Sequence, residues 1–85
     1  MAWKVFITNN AEKQFSRLPR DRQAQVLKAR KQLEQDPFSG DVAKLYGHEN
    51  FWRLRVGSYR IIFKVLYENR AVFVYEIARR TSSTY

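Results

Sequence analysis

The strongest constraint on this chain is a 15-residue stretch, FWRLRVGSYRIIFKV, in which apolar and polar residues alternate on both sides of a glycine. Alternation with a period of two predicts β-strands, and the Gly57-Ser58 pair predicts the tight turn between them. A two-residue turn with glycine first is typical of type II′, because glycine adopts a positive φ without penalty. The sequence therefore predicts an antiparallel hairpin that turns at these two residues.

The two-residue turn also fixes the register of the hairpin. The predicted pairs are Val56 with Tyr59, Arg55 with Arg60, Leu54 with Ile61, Arg53 with Ile62, Trp52 with Phe63 and Phe51 with Lys64. One face then carries apolar side chains for a core: Trp52, Leu54, Val56, Tyr59, Ile61, Phe63 and Val65. The other face carries four cations, namely Arg53, Arg55, Arg60 and Lys64. A slip by one residue would bury these cations, so the register is strongly specified.

The residues before the hairpin predict one strand and two helices. Residues 2–7, AWKVFI, alternate and predict a first strand. Thr8 or one of the two asparagines after it can cap the next helix, which Pro19 ends. Residues 20 to about 35 predict a second helix, which the following Asp-Pro pair stops. Residues 41–50 are expected to form an irregular connection to the hairpin.

The last strand, AVFVYEI at residues 71–77, follows the polar segment ENR. A three-residue loop places Glu76 on the cationic face near Arg60, whereas a two-residue loop would bury this carboxylate among aliphatic side chains. The three-residue loop is therefore preferred. It sends Phe73, Tyr75 and Ile77 to the core side, and it sends Val72 and Val74 to the cationic face with Phe51 and Ile62. The apolar side chains among the cations suit a second protein partner or the stacking of bases, unless the chain's own tail covers them.

These elements predict a single domain over residues 1–85 of the α+β class, in the order β-α-α-β-β-β. Two N-terminal helices pack on one face of a small, mainly antiparallel sheet, and the partner of the first strand is left open. The chain contains no cysteine, so disulfides and thiolate metal sites are excluded. We expect no signal peptide, membrane partner, metal or small-molecule cofactor, and a cytoplasmic location.

The charge indicates the kind of partner. A formal net charge of +8 on 85 residues suits an anionic partner, which is nucleic acid, a membrane surface or an acidic protein. Arginines that face each other across two strands repel, so the Arg55–Arg60 pair does not serve stability. Phosphate would relieve this repulsion, because the guanidinium fork pairs well with phosphate oxygens. Arg79 and Arg80, just past the last strand, are expected to join this face. The alternative is a solvated polar face without a ligand.

Three segments together, DPFSGDVAKLYG, FWRLRVGSYRIIFKV and VFVYEIARR, followed by a C-terminal tyrosine, resemble the RelE/ParE superfamily of toxins from toxin–antitoxin systems. The resemblance covers nearly the whole chain and implies one of two activities. RelE-like members enter the ribosomal A site and cleave mRNA, with the 2′-hydroxyl attacking the adjacent phosphodiester. ParE-like members inhibit DNA gyrase and lack nuclease chemistry. Both kinds are neutralised by a cognate antitoxin protein.

The RelE-like interpretation, a ribosome-dependent mRNA endoribonuclease, is preferred, and it implies roles for the hairpin cations. Arg60, in the YR pair, matches the family arginine near the scissile phosphate and is expected to stabilise the developing charge. Arg53 and Arg55 fall where relatives often carry lysines that contact the reacting nucleotide. Together with Lys64 and Arg79 they are expected to bind RNA phosphates, and Arg55 is also expected to be catalytic beside Arg60.

The remaining site residues lie outside the hairpin. Arg80, or Arg79 by one residue of spacing, matches the family arginine after the last strand. Tyr85 matches a C-terminal tyrosine that stacks on the substrate or takes part in its protonation, and both Arg80 and Tyr85 are expected to be catalytic. Arginine stays protonated in proteins and makes a poor base. His48, whose imidazole ordinarily titrates near neutral pH, and the neighbouring Glu49 are secondary candidates for accepting the 2′-hydroxyl proton. A gyrase inhibitor and a module that only binds nucleic acid are the competing interpretations.

Overall fold

The computed structural model describes residues 2–45, 47 and 49–79. Its elements, in chain order, are β1 (Lys4–Ile7), α1 (Asn9–Ser16), α2 (Arg20–Gln35), β2 (Val42–Lys44), β3 (Phe51–Val56), β4 (Tyr59–Leu66) and β5 (Ala71–Arg79). The predicted α+β class is confirmed, and so are the predicted bounds of the second helix. Within the described residues, neither helix combines the length and the apolar character that a membrane crossing requires.

The five strands form one sheet in the order β1-β5-β4-β3-β2. β1 lies parallel to β5, which supplies the partner that the sequence left open, while the other neighbours are antiparallel. The expected irregular connection contains β2, which pairs with β3 along Val42–Lys44. Three residues are too short for a readable alternation, so only the pairing with β3 identifies this strand.

The residue before each helix explains where that helix begins. Thr8 is the N-cap of α1, and its hydroxyl accepts a hydrogen bond from the amide of Ala11 at 3.2 Å. Pro19 is the N-cap residue of α2, so it separates the two helices. The helices cover one face of the sheet, and the buried side chains between these layers form the core: Ala11, Val26, Ala29, Leu33, Leu54, Ile61, Phe63, Val65, Val72, Val74 and Ile77.

The β3–β4 hairpin has the predicted register in all six pairs, from Val56 opposite Tyr59 to Phe51 opposite Lys64. Gly57 has a φ of 56°, as the first central position of the predicted turn requires. The turn is specified by residues that are adjacent in sequence. The alternation of apolar and polar residues in β3 and β4 favours the same register.

The β4–β5 connection differs from the prediction. Leu66 pairs with Ala71 across a four-residue loop, and Arg70 in that loop has a φ of 48°. The register then shifts between Ile62 and Phe63, because a β-bulge inserts an extra residue into β5. Beyond the bulge, Ile77 pairs with Ile61 and Glu76 pairs with Ile62, so both residues lie on the predicted sides of the sheet.

The bulge reverses the predicted sides of the first half of β5. Val72 and Val74 are buried in the core, so placing them on the cationic face was wrong. Phe73 and Tyr75 lie on the opposite side and not in the core, and Tyr75 is 40% exposed. The extra residue allows Val74 and Ile77 to share the core face although two residues separate them.

Side chains of α1 and its cap bind the backbone groups that the bulge frees. The carbonyl oxygen of Tyr75 accepts hydrogen bonds from Thr8 Oγ1 at 3.3 Å and Asn10 Nδ2 at 3.4 Å. The amide of Ile77 donates to Oε1 of Gln14 at 2.7 Å. The bulge is therefore held by a helix more than 60 residues away in sequence.

Candidate nucleic-acid interface

The face of the sheet opposite the helices, here called the open face, carries the hairpin cations. Arg53 and Arg55 alternate along β3 with the core-facing Trp52 and Leu54. Arg60 lies directly opposite Arg55, and Lys64 lies further along β4 on the same face. The cross-strand arginine pair predicted from the turn is thus part of the fold.

Two acids lie close to two of these cations. Arg55 Nε lies 3.9 Å from Asp41 Oδ2, and Arg60 Nη2 lies 4.0 Å from Glu76 Oε2. All four side chains are about one-third to two-thirds exposed, and exposed ion pairs contribute little to stability. Glu76 was expected near Arg60. Asp41 was missed, because it precedes the unpredicted strand β2 and is brought to Arg55 by the β2–β3 pairing.

The other predicted site residues fall in different places. Arg79 is the last residue of β5 and pairs with Tyr59, so it lies on the helix side of the sheet. The expectation that Arg79 joins Arg60 on the cationic face was therefore wrong. Glu49 is exposed in the turn before β3. His48, Arg80 and Tyr85 lie outside the described residues.

A row of aromatic side chains crosses the open face beside the arginines. Successive cross-strand pairs align Phe6 of β1, Phe73 of β5, Lys64 of β4 and Phe51 of β3, and these four residues are called the aromatic row. The rings of Phe6 and Phe73 are stacked, with centroids 5.0 Å apart and planes 19° apart. Lys64 Nζ lies 5.6 Å from the centroid of the Phe51 ring.

Tyr75, at the bulge, extends this row toward the arginines. Its ring centroid lies 5.2 Å from that of Phe51. The contribution of Phe73 and Tyr75 to this face was not predicted, because the predicted register of β5 was unbroken. The open face therefore has an arginine end, formed by Arg53, Arg55 and Arg60, and an aromatic end, and cations are present at both.

The family model of the ParE toxin of the type II toxin–antitoxin system parDE matches residues 5–83 of the chain. That match spans all seven elements except the first residue of β1. The chain belongs to the ParE toxin family, within the RelE/ParE superfamily. It is therefore a toxin of a toxin–antitoxin system, as the sequence resemblance implies.

Solved structures place this ParE-family toxin among RelE folds. The archaeal RelE–RelB complex of Pyrococcus horikoshii matches with 27% identity and a TM-score of 0.85, over 98% of this chain and 100% of that chain. A RelBE toxin–antitoxin complex of Mycobacterium tuberculosis matches with 23% identity and a TM-score of 0.82, over 94% and 100%. The isolated Escherichia coli RelE toxin matches with 21% identity and a TM-score of 0.83, over 98% and 89%. No curated protein sequence matches significantly.

Proposed function

We propose that this toxin is a ribosome-dependent endoribonuclease that cleaves mRNA in the ribosomal A site. The observation that carries the proposal is the Arg55–Arg60 pair on the open face, with Arg53 and Lys64 on the same side. Like charges directly opposite each other on a sheet are unfavourable, and an RNA backbone would turn this repulsion into attraction.

The proposed reaction is an internal phosphoryl transfer. The 2′-oxygen of one nucleotide forms a bond to the adjacent phosphorus, and the bond from phosphorus to the 5′-oxygen breaks. The products are a 2′,3′-cyclic phosphate and a 5′-hydroxyl. Negative charge grows on the phosphoryl oxygens during this step, and Arg60 is assigned to stabilise it. Arg53 and Arg55 hold the neighbouring phosphates and help to align the reacting atoms.

Phosphate can displace the acids that now contact two of these arginines. The separations of 3.9 Å for Arg55–Asp41 and 4.0 Å for Arg60–Glu76 are those of loose, solvent-screened pairs. A bidentate arginine–phosphate contact is shorter and stronger. The ion pairs therefore keep the arginines in place without blocking the ligand.

The proton of the 2′-hydroxyl must leave and the 5′-oxygen must gain one. The guanidinium groups stay protonated and cannot accept the first proton. His48 and Glu49, which shortly precede residue 51 in the sequence, are the proposed candidates for this base. Tyr85 is proposed to donate the proton that the 5′-oxygen gains, and Arg80 is proposed to complete the substrate contacts.

The proposed partners follow from this activity. The toxin acts on mRNA bound to ribosomes in the cytoplasm, and a cognate antitoxin protein neutralises it. The matched complexes from Pyrococcus horikoshii and Mycobacterium tuberculosis pair a toxin with an antitoxin, which supports such a partner here. The formal charge of +8 favours an antitoxin with an acidic toxin-binding segment.

Arg60→Ala tests the proposal most directly. We expect at least a ~100-fold loss of cleavage, comparable to the loss of one oxyanion-stabilising donor, without a change in antitoxin binding. Primer extension on translating ribosomes measures the cleavage. Arg30→Ala is the matched control, because Arg30 Nε lies 3.9 Å from Glu34 Oε2 in a similarly loose pair on α2. Normal cleavage by Arg60→Ala would remove Arg60 from the proposed site.

Inhibition of DNA gyrase is the second candidate function, and the match to the ParE family model favours it. A supercoiling assay with purified gyrase separates the two candidates. The nuclease proposal expects unchanged supercoiling together with cleaved message. Inhibited supercoiling with intact message on the ribosome would establish the second candidate.

A further inference from the structure

We propose that the aromatic row and Tyr75 form a platform on which unpaired bases of single-stranded RNA stack while the neighbouring cations hold the phosphates. This inference rests on the proposed function for the choice of RNA as ligand, and it adds a base-binding subsite to the phosphate-binding residues already described.

The first argument is exposure. Phe6 is 46% exposed and Tyr75 is 40% exposed, although the domain has a continuous core on the other side of the sheet. Cross-strand aromatic contacts such as Phe6–Phe73 support the sheet. Solvent-facing rings in a contiguous group nevertheless mark a binding surface more often than isolated exposed residues do.

The second argument is geometry. The four residues of the aromatic row occupy four adjacent strands, so their side chains form one line across the sheet. Aromatic side chains on an open sheet present flat faces to unstacked bases, and such stacking tolerates any base. Lys64 and Arg60, four residues apart on β4, lie about 13 Å from each other along the strand. An extended single strand of RNA can therefore contact the arginine end and the aromatic row at the same time.

The third argument is charge complementarity, which distinguishes RNA from an apolar protein partner. Lys64 lies inside the row, with Nζ 5.6 Å from the Phe51 centroid, and Arg53 follows Phe51 by two residues on the same face. A purely apolar partner would cover the rings and leave these cations desolvated, which is unfavourable. A single strand brings bases for the rings and phosphates for the cations.

The test uses a fluorescein-labelled hexamer of 2′-O-methyl RNA, because it has no 2′-hydroxyl and cannot be cleaved by the proposed reaction. Anisotropy titrations compare the wild-type protein with Phe6→Leu, Tyr75→Leu and the double variant. Leucine keeps apolar volume but removes the stacking face. We expect about a tenfold loss of affinity for each ring that contacts a base.

Tyr67→Leu is the matched control. Tyr67 is 51% exposed, but its ring contacts Trp3 and Phe38 and lies outside the aromatic row. We expect this variant to bind like wild type. We also expect the same hexamer annealed to its complement to bind more weakly, because its base faces are already stacked.

Several results would overturn the platform. They are no binding of the hexamer by the wild-type protein, unchanged affinity in the double variant, an equal loss in Tyr67→Leu, or equal affinity for the duplex. Weaker antitoxin binding with unchanged hexamer binding would assign the rings to a protein interface instead. A protein that binds the hexamer through these rings but cuts no message would retain the platform and reject the nuclease proposal, so the two failures are distinguishable.

Discussion

Arg55 and Arg60 face each other across the β3–β4 hairpin, and this single pair connects the fold to its proposed chemistry. Each arginine also has an acid at 3.9–4.0 Å, which reduces the repulsion without removing it. Exposed pairs at this separation contribute roughly 0–1 kcal/mol, so they do not compete strongly with a phosphate. The arrangement sacrifices a little stability for a surface that favours an anionic ligand.

Gln14 illustrates a residue whose structural role is invisible in local sequence. Its Oε1 accepts the Ile77 amide at 2.7 Å, next to the bulge of β5. Gln14→Leu would leave that partly buried amide without its partner, so we expect the free energy of unfolding to fall by about 1–3 kcal/mol. Urea denaturation followed by circular dichroism measures the change.

Two variants make the Gln14 test specific. Gln14→Glu keeps an oxygen acceptor and is expected to retain most of the stability. Gln35→Leu changes an exposed glutamine at the end of α2 and is expected to alter stability by less than about 0.5 kcal/mol. A loss in Gln35→Leu as large as that in Gln14→Leu would show that the hydrogen bond is not the cause.

At the scale of elements, the predictions were correct where the contacts that determine an element are close in sequence, and wrong where those contacts join distant segments. The Gly57 turn and the alternation beside it are local, and they specified every pair of the β3–β4 hairpin. The bulge in β5 depends on Thr8, Asn10 and Gln14, which bind its backbone from the other end of the chain. A local pattern contains no sign of that support, so Phe73 and Tyr75 were assigned to the wrong face.

The same reasoning explains what was predicted of the candidate site. The four cations share a face because the local hairpin places them there, and Glu76 was placed correctly because burying it would be costly. Asp41 and the β1 side of the aromatic row depend on strand pairings between distant segments. Those contributions required the three-dimensional structure.

Gly57→Ala tests the β3–β4 turn, which determines which side chains of the hairpin lie on each face of the sheet. Gly57 has a φ of 56°, and a Cβ there would lie 3.2 Å from Gln25 Oε1. We expect the free energy of unfolding to fall by about 1–2 kcal/mol, because an L-residue is strained in this conformation. Thermal denaturation measures the loss.

The neighbouring position provides the comparison for that test. Ser58→Ala keeps the glycine and is expected to change stability by less than about 0.5 kcal/mol. Gly57→Asn is expected to be milder than Gly57→Ala, since asparagine tolerates positive φ. Equal stabilities for wild type and Gly57→Ala would mean that the turn does not depend on glycine.

At the scale of the whole molecule, the sheet separates two tasks. One face packs against the helices and contains the core, which leaves the other face to carry arginines and aromatic rings in adjacent rows. A net charge of +8 attracts anions from any direction, but only a clustered surface makes several phosphate contacts at once. The dependence of RNA affinity on salt concentration distinguishes diffuse attraction by the net charge from contacts made by the clustered cations.

The double variant Arg53→Gln/Arg55→Gln tests the clustered surface. Each lost phosphate contact on a single strand lowers the magnitude of the slope of log affinity against log salt by about 0.7, so we expect a decrease of about 1.4. The uncleavable RNA hexamer, titrated at several salt concentrations, measures the slope. The control is Arg30→Gln/Lys31→Gln on α2, which has the same formal net charge of 8 − 2 = +6. We expect it to lower the affinity only slightly and to keep the wild-type slope. Equal changes of slope in both double variants would show that binding depends on diffuse charge and not on the arginines of the open face.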